Sequence, residues 1–107
     1  MIRALLEMRV AAGDEAAFVE AWKGVAKLAA AAPGNVRQAL LRDASEPTRF
    51  VISTDWTSIA DFRAFERSPA QDVATAPLRR LRVSASMSVF DVASALEGHE
   101  ETVEPGG

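Results

Sequence analysis

The chain of 107 residues contains no cysteine. That absence excludes disulfides, thiolate metal sites and a cysteine nucleophile in one step. Its single histidine, His99, sits in an acidic run near the end, where a lone imidazole is solvated rather than a metal ligand. The sequence has no Ser-His-Asp set, Gly-rich phosphate loop or carboxylate pair with a recognisable spacing. Positive charge is not in excess: the formal net charge is −3, so no sequence-wide basic field would hold a nucleic acid. Long hydrophobic runs are missing too. The opening MIRALLEMRV is too short an apolar stretch for a signal peptide, and no segment has the apolar length of a membrane span. These absences set the expectation of a soluble cytoplasmic protein with no metal, no nucleic-acid partner and no membrane partner.

What is present is an ordinary globular composition, 49% apolar and 25% charged. The length suits one domain with one core. In IRALLEMRV, residues 2–10, Ile2, Ala4, Leu6, Met8 and Val10 alternate onto one face of a strand. Gly13 and Asp14 punctuate, with Asp14 placed to cap a helix. Phe18, Trp22, Val25, Ala29 and Ala32 form its apolar stripe. Gly24 lies inside that helix at a cost of about 1 kcal/mol relative to Ala, which predicts a close packing contact there. Pro33-Gly34 ends it. NVRQALLRD and RFVISTDW, residues 35–43 and 49–56, read as strands joined by the turn ASEPT. Ser58 caps a helix carrying Ile59, Phe62 and Phe65, with Asp61 three residues on. SPAQ, 68–71, interrupts it before a second helical piece, and SASMSVFDV, 84–92, is the last strand.

The order β-α-β-β-α-β predicts an α+β fold of the ferredoxin-like split type. It is a four-stranded antiparallel sheet with its helices on one face. Residues 1–96 form that domain, and the acidic, Gly/Pro-containing residues 97–107 read as a tail. The other face of the sheet, with Leu5, Ala39, Leu41 and Val51, is too apolar to stand in water. A set from the last strand, Val83, Met87 and Val89, is expected to join it. The simplest cover is a second copy, sheet against sheet, making a homodimer.

Candidate site residues gather around Trp56. It is either a pocket wall whose indole N–H donates to a ligand or a core tryptophan at a strand–helix corner. Phe62 and Phe65 divide the same way between core and pocket wall, whereas Trp22 belongs first to the core stripe. Gln38 shares parity with Val36 and Leu40, so its amide is either satisfied by backbone or offered to a ligand. Thr54, in step with Trp56, faces the same choice. Arg79, Arg80 and Arg82 are either a solvated helix end or a substrate clamp.

The pattern APGN at 32–35, the strand VRQALLRD, a turn with Pro47, and RFVISTDWTSIADFRAFERSP together resemble the antibiotic biosynthesis monooxygenase family, within the dimeric α+β barrel superfamily. The resemblance covers residues 2 to about 92. It implies a cofactor-independent enzyme that oxidises an aromatic polyketide of anthrone, naphthol or hydroquinone type to a quinone with dioxygen. The protein then supplies a dry pocket and hydrogen bonds to a developing oxyanion. Trp56 matches the family's strand-end tryptophan. Where quinone-forming members carry an asparagine four residues earlier, this chain has Ile52. A helix tyrosine becomes Phe62, a second-strand tyrosine falls near Leu40, and a late helical arginine matches Arg79. The resemblance and the residue reading together set the expected site: Trp56, Gln38 and Arg79 as catalytic residues, with Leu40, Ile52, Thr54, Phe62, Phe65 and Trp22 as the substrate-binding wall. The superfamily's haem-degrading branch does not fit, because AQDVATAPLRRL lacks the helical histidine ligand and Met8 stands near the first-strand asparagine. No cofactor is implied. With these polar groups missing, a polyketide cyclase or isomerase, or a non-catalytic ligand-binding protein, are the alternatives.

Overall fold

The computed structural model describes residues 1–98. Strand β1 (Ile2–Val10) leads through a Gly13 turn into helix α1 (Glu15–Ala30). Strands β2 (Asn35–Arg42) and β3 (Arg49–Trp56) follow, then helices α2 (Ile59–Glu66) and α3 (Pro69–Leu81), then strand β4 (Arg82–Asp91). The described strands form one antiparallel sheet in the order β2-β3-β1-β4. This is the expected ferredoxin-like α+β fold, with the second helical region split in two. The split follows from local chemistry. Ser68 has extended backbone and accepts the Gln71 N–H, and Pro69 takes a first-turn position where its missing N–H costs nothing. Among the described residues no helix is long and apolar enough to cross a membrane. The final expected segment, 97–107, lies outside the described residues from His99 onward.

Alternation in β1 and β3 places the core. Ile2, Ala4, Met8 and Val10 are buried on one side, as are Phe50, Ile52 and Trp56 across the ladder. The helices cover that side with Phe18 and Val25 from α1, Phe62 from α2 and Leu78 from α3. Phe18 and Phe50 are fully buried with ring centroids 5.0 Å apart, a contact worth about 1 kcal/mol beyond area burial. Arg42 lays its guanidinium over the Phe50 ring at 5.1 Å, closing the edge of the core.

Several local expectations change. Asp14 stands at the start of α1 but makes no side-chain cap bond; the Gly13 N–H donates instead to the Glu15 carboxylate at 2.6 Å. Gly24 faces open space rather than a packed neighbour, so its cost in the helix has no packing return. Val36 does not share a face with Gln38 and Leu40 in practice. A register shift between Asn35 and Arg37 takes it out of the alternation and leaves it exposed. In β4, Met87 is opposite Leu6 and Val89 opposite Ala4, so the apolar parity points to the helix side. Ser84, Ser86, Ser88 and Phe90 take the outer side. The helices lie over the other strands, and Val83, Met87 and Val89 remain exposed at the sheet edge.

The outer face carries ion pairs at its two ends. Asp55 is only 1% exposed and receives the Arg3 Nε and Nη2 donors at 2.7 and 3.0 Å, with Arg37 at 3.6 Å. The Arg3 hydrogen bonds hold the Asp55 carboxyl below its ordinary range. At the other end Arg49 bridges Glu7 at 2.9 Å and Asp43 at 2.8 Å. Both carboxyls are held low, Glu7 by Arg49, and Asp43 first by the Ser45 and Glu46 amides and then by Arg49. Between them lie Leu5, Ala39, Leu41, Val51 and Phe90.

Candidate functional site

Trp56 is delivered to its place by a corner that the local sequence builds. Gly34 has φ +84°, a conformation that glycine adopts without strain. A Cβ there would fall on the Asp61 carboxylate. The Gly34 carbonyl accepts the Thr57 N–H at 2.8 Å, tying the end of β2's lead-in to the end of β3. Thr57 and Ser58 hydroxyls donate to Asp61 Oδ2 at 2.8 and 3.0 Å, and the Ser58 hydroxyl accepts the Asp61 N–H at 3.1 Å. This reciprocal cap fixes where α2 starts and so where Phe62 and Phe65 meet the indole. Their ring centroids stand 6.0 and 5.1 Å from that of Trp56.

Under the helices this corner closes an inner cavity of ≈ 80 Å³. Trp56, Phe62, Phe65, Ile52, Thr54, Gln38 and Trp22 all line it, so seven of the expected residues converge from β2, β3, α1 and α2. The deciding detail is electrostatic. Trp56 is 0% exposed, and its indole Nε1–H has no hydrogen-bond partner. An unpaired donor removed from water costs about 1–3 kcal/mol, and among the described residues this one, like the buried Asn35 Nδ2, has no counterpart.

The other polar groups of the wall are neutral. Gln38 donates through Nε2 to the Ala26 carbonyl at 2.6 Å, which fastens β2 to α1. Of the two outcomes open to Gln38, the backbone takes one of its amide protons, while Gln38 still lines the cavity. Gln71 and Thr75 also face it from α3. The sequence reading missed both, although Gln71, Thr75 and Leu78 recur at helical spacing on the face that Leu78 buries. Thr75 Oγ1 donates to the Gln71 carbonyl at 2.9 Å. No ionisable side chain is among the cavity's described lining residues.

Two expected site residues lie elsewhere. Arg79 is on the exposed side of α3, where its guanidinium folds back to donate to Thr75 Oγ1 and, at 3.0 Å, to the Asp72 carbonyl. A short reach along its own helix satisfies the fork before it can turn inward. It touches the cavity only through Thr75. Leu40, opposite Ile52 on β3, packs against the main core cluster around Phe50 and is not among the cavity's lining residues.

Solved structures share this fold. SnoaB, a cofactor-independent oxygenase from Streptomyces nogalater, superposes with a TM-score of 0.82 at 25% identity, over 91% of this chain and 97% of that one. A Deinococcus radiodurans protein described as an antibiotic biosynthesis monooxygenase gives 0.82 at 16% identity, over 94% and 100%. One from Nitrosomonas europaea gives 0.77 at 21%, over 85% and 97%. The latter two speak to the fold alone. No curated protein matches the sequence. The antibiotic biosynthesis monooxygenase family itself matches residues 1–76, a span that runs from β1 through the Trp56 corner into α3. A sequence that carries the family's pattern across most of its length, and folds it around the strand-end tryptophan, belongs to the antibiotic biosynthesis monooxygenase family.

Proposed function

We propose that the chain is a cofactor-independent monooxygenase. Its substrate is an electron-rich fused aromatic of anthrone, naphthol or hydroquinone type, a polyketide product, which it oxidises to a quinone with dioxygen. The observation that carries this reading is the buried, unpartnered indole N–H of Trp56, a residue that lines the cavity. For an anthrone the balance is direct. The ring methylene loses two hydrogens and gains one oxygen atom of dioxygen as an oxo group; the other atom leaves as water with those hydrogens. The substrate supplies the electrons through its enolate, so the protein's part is to exclude water, orient the ring and stabilise the oxyanion. Trp56 is the donor aimed at that oxygen. Phe62, Phe65, Ile52 and Trp22 are the walls, and Thr54 and Gln38 set the polar rim. SnoaB's description as a cofactor-independent oxygenase supports the same chemistry.

A second reading is favoured by the neutral wall: with no ionisable side chain among the lining residues, the cavity would suit a cyclase or isomerase that holds a polyketide in a reactive shape and leaves the proton transfers to water. Tight binding without turnover would mark a ligand-binding protein instead. The reading also takes the active form as a homodimer. Leu41 and Phe90 are half-exposed on the outer sheet face, with Leu5, Ala39 and Val51 on the strands between and beside them, and a second copy would take these apolar side chains out of water.

The test is oxygen uptake by the purified protein with anthrone, with neither flavin nor metal added. Uptake above the spontaneous rate is expected. Trp56→Phe should lower it about tenfold while leaving the fold intact, since the change removes one hydrogen bond. Product that forms equally well without oxygen would replace this reading with the cyclase one, and wild-type uptake no faster than background would end it.

A further inference from the structure

The inner cavity is too small for the ligand class just proposed. At ≈ 80 Å³ it is smaller than the cavity of about 150 Å³ known to admit a single benzene ring. On the far side of Phe65, however, lies an open groove of ≈ 400 Å³ between the end of α1 and α2–α3. Leu28 and Ala31 form one bank, Ala64 and Ala70 the other, and Phe65 lines both the groove and the cavity. The groove's polar side chains are already engaged. Asp61 accepts from Thr57 and Ser58, and Ser68 accepts the Gln71 N–H. Its remaining surface is flat and aliphatic, suited to the face of a ring and offering no donor to orient one.

We propose that the groove is a second subsite of the same binding site. It would take the apolar rings of a fused polycyclic phenol whose oxygen-bearing ring sits at Trp56, with Phe65 as the movable wall between them. This rests on the oxygenase reading above. Three observations converge on it: the volume shortfall at the indole, the shared Phe65 wall, and an outer volume within the range of about 300–1,000 Å³ typical of small-molecule sites. Phe65 is half-buried next to the C-terminus of an eight-residue helix. Its ring contact with Trp56 is what a ligand ring would replace, one aromatic face for another. The class of ligand follows. A single-ring hydroquinone needs the inner end with the Phe65 ring displaced and leaves the groove beyond it empty, whereas a tricyclic needs the groove as well.

The experiment is an anaerobic titration, which prevents turnover, followed through the Trp56 indole N–H resonance, itself identified by its loss in Trp56→Phe. Hydroquinone and anthrone are the probes. Ala64→Phe, on α2, and Ala31→Phe, at the C-cap of α1, each fill the groove from an exposed position on opposite banks, so one folded variant suffices. Both should weaken anthrone about tenfold and change hydroquinone by less than about twofold, the scale of selectivity expected from a blocked apolar contact. Equal anthrone affinity in all three proteins, or an equal loss for both ligands, would overturn the groove assignment and leave the Trp56 site standing. An indole resonance that moves with neither ligand in the wild-type protein would overturn the subsite and the oxygenase reading together.

Discussion

Asp55 and Trp56 are consecutive residues, both buried, pointing to opposite faces of one sheet. Their polar atoms meet opposite fates. The Asp55 carboxylate on the outer face has a bidentate arginine and a second arginine nearby. The Trp56 N–H on the inner face has nothing. Burial alone therefore does not mark function. Many polar groups find a counterpart in the chain, as Gln38 finds Ala26 and Ser58 finds Asp61. Asn35 Nδ2 and Trp56 Nε1 are both buried without one among the described residues; of these two residues, Trp56 is the one that lines the cavity.

This contrast of faces can be broken in graded ways. The largest effect belongs to the inner core. Phe50→Ala should cost about 3–5 kcal/mol, since the site is fully enclosed and cannot collapse. Urea unfolding measures it, and a loss below about 1 kcal/mol would mean the helices are far looser over the sheet than their packing shows.

On the outer face, Val51→Asp should convert a dimer into a destabilised monomer, because it places a charge at the centre of the apolar surface. Light scattering decides this. A wild-type protein that is already monomeric at micromolar concentration removes the basis for the dimer.

The smallest effect is on acid stability. Asp55, Asp43 and Glu7 all have depressed carboxyl pKa values in the folded chain. Their contribution is fully present above the unfolded carboxylate values of about 3.9–4.3. It is lost as pH falls below those values and through the folded ones. Arg3→Met removes the first cause of the Asp55 shift, so the midpoint of acid unfolding, followed by circular dichroism, should move to higher pH. An unmoved midpoint would show that Arg37 and solvent compensate and that the pair contributes little.

Much of this was legible in order. The alternation of β1 and β3 placed Ile2, Ala4, Met8, Phe50, Ile52 and Trp56 on the helix side, because a two-residue period leaves no other choice once one face is buried. The cap at Ser58 and the break at Ser68-Pro69 are short-range hydrogen-bond chemistry and could be read residue by residue. Seven of the nine expected site residues line the cavity. Arg79 and Leu40 lie off it for reasons a linear reading cannot see. An arginine can satisfy itself on its own helix, and which residues of a strand meet the cavity depends on the helices packed over it. Gln71 and Thr75 carried a periodic signal that was visible and unused.

The sequence by itself determined the class of fold, the inner faces of its central strands and the identity of the tryptophan at the strand end, because each depends on interactions among residues close in the chain. Only the tertiary structure decided that the apolar parity of β4 turns toward the helices, through its pairing with β1. It alone decided that Gln38 is held by α1 and that the indole N–H of Trp56 is left without a partner. Those outcomes depend on which atoms from distant segments arrive within about 3 Å of one another, the range of a hydrogen bond, and no local pattern encodes that distance.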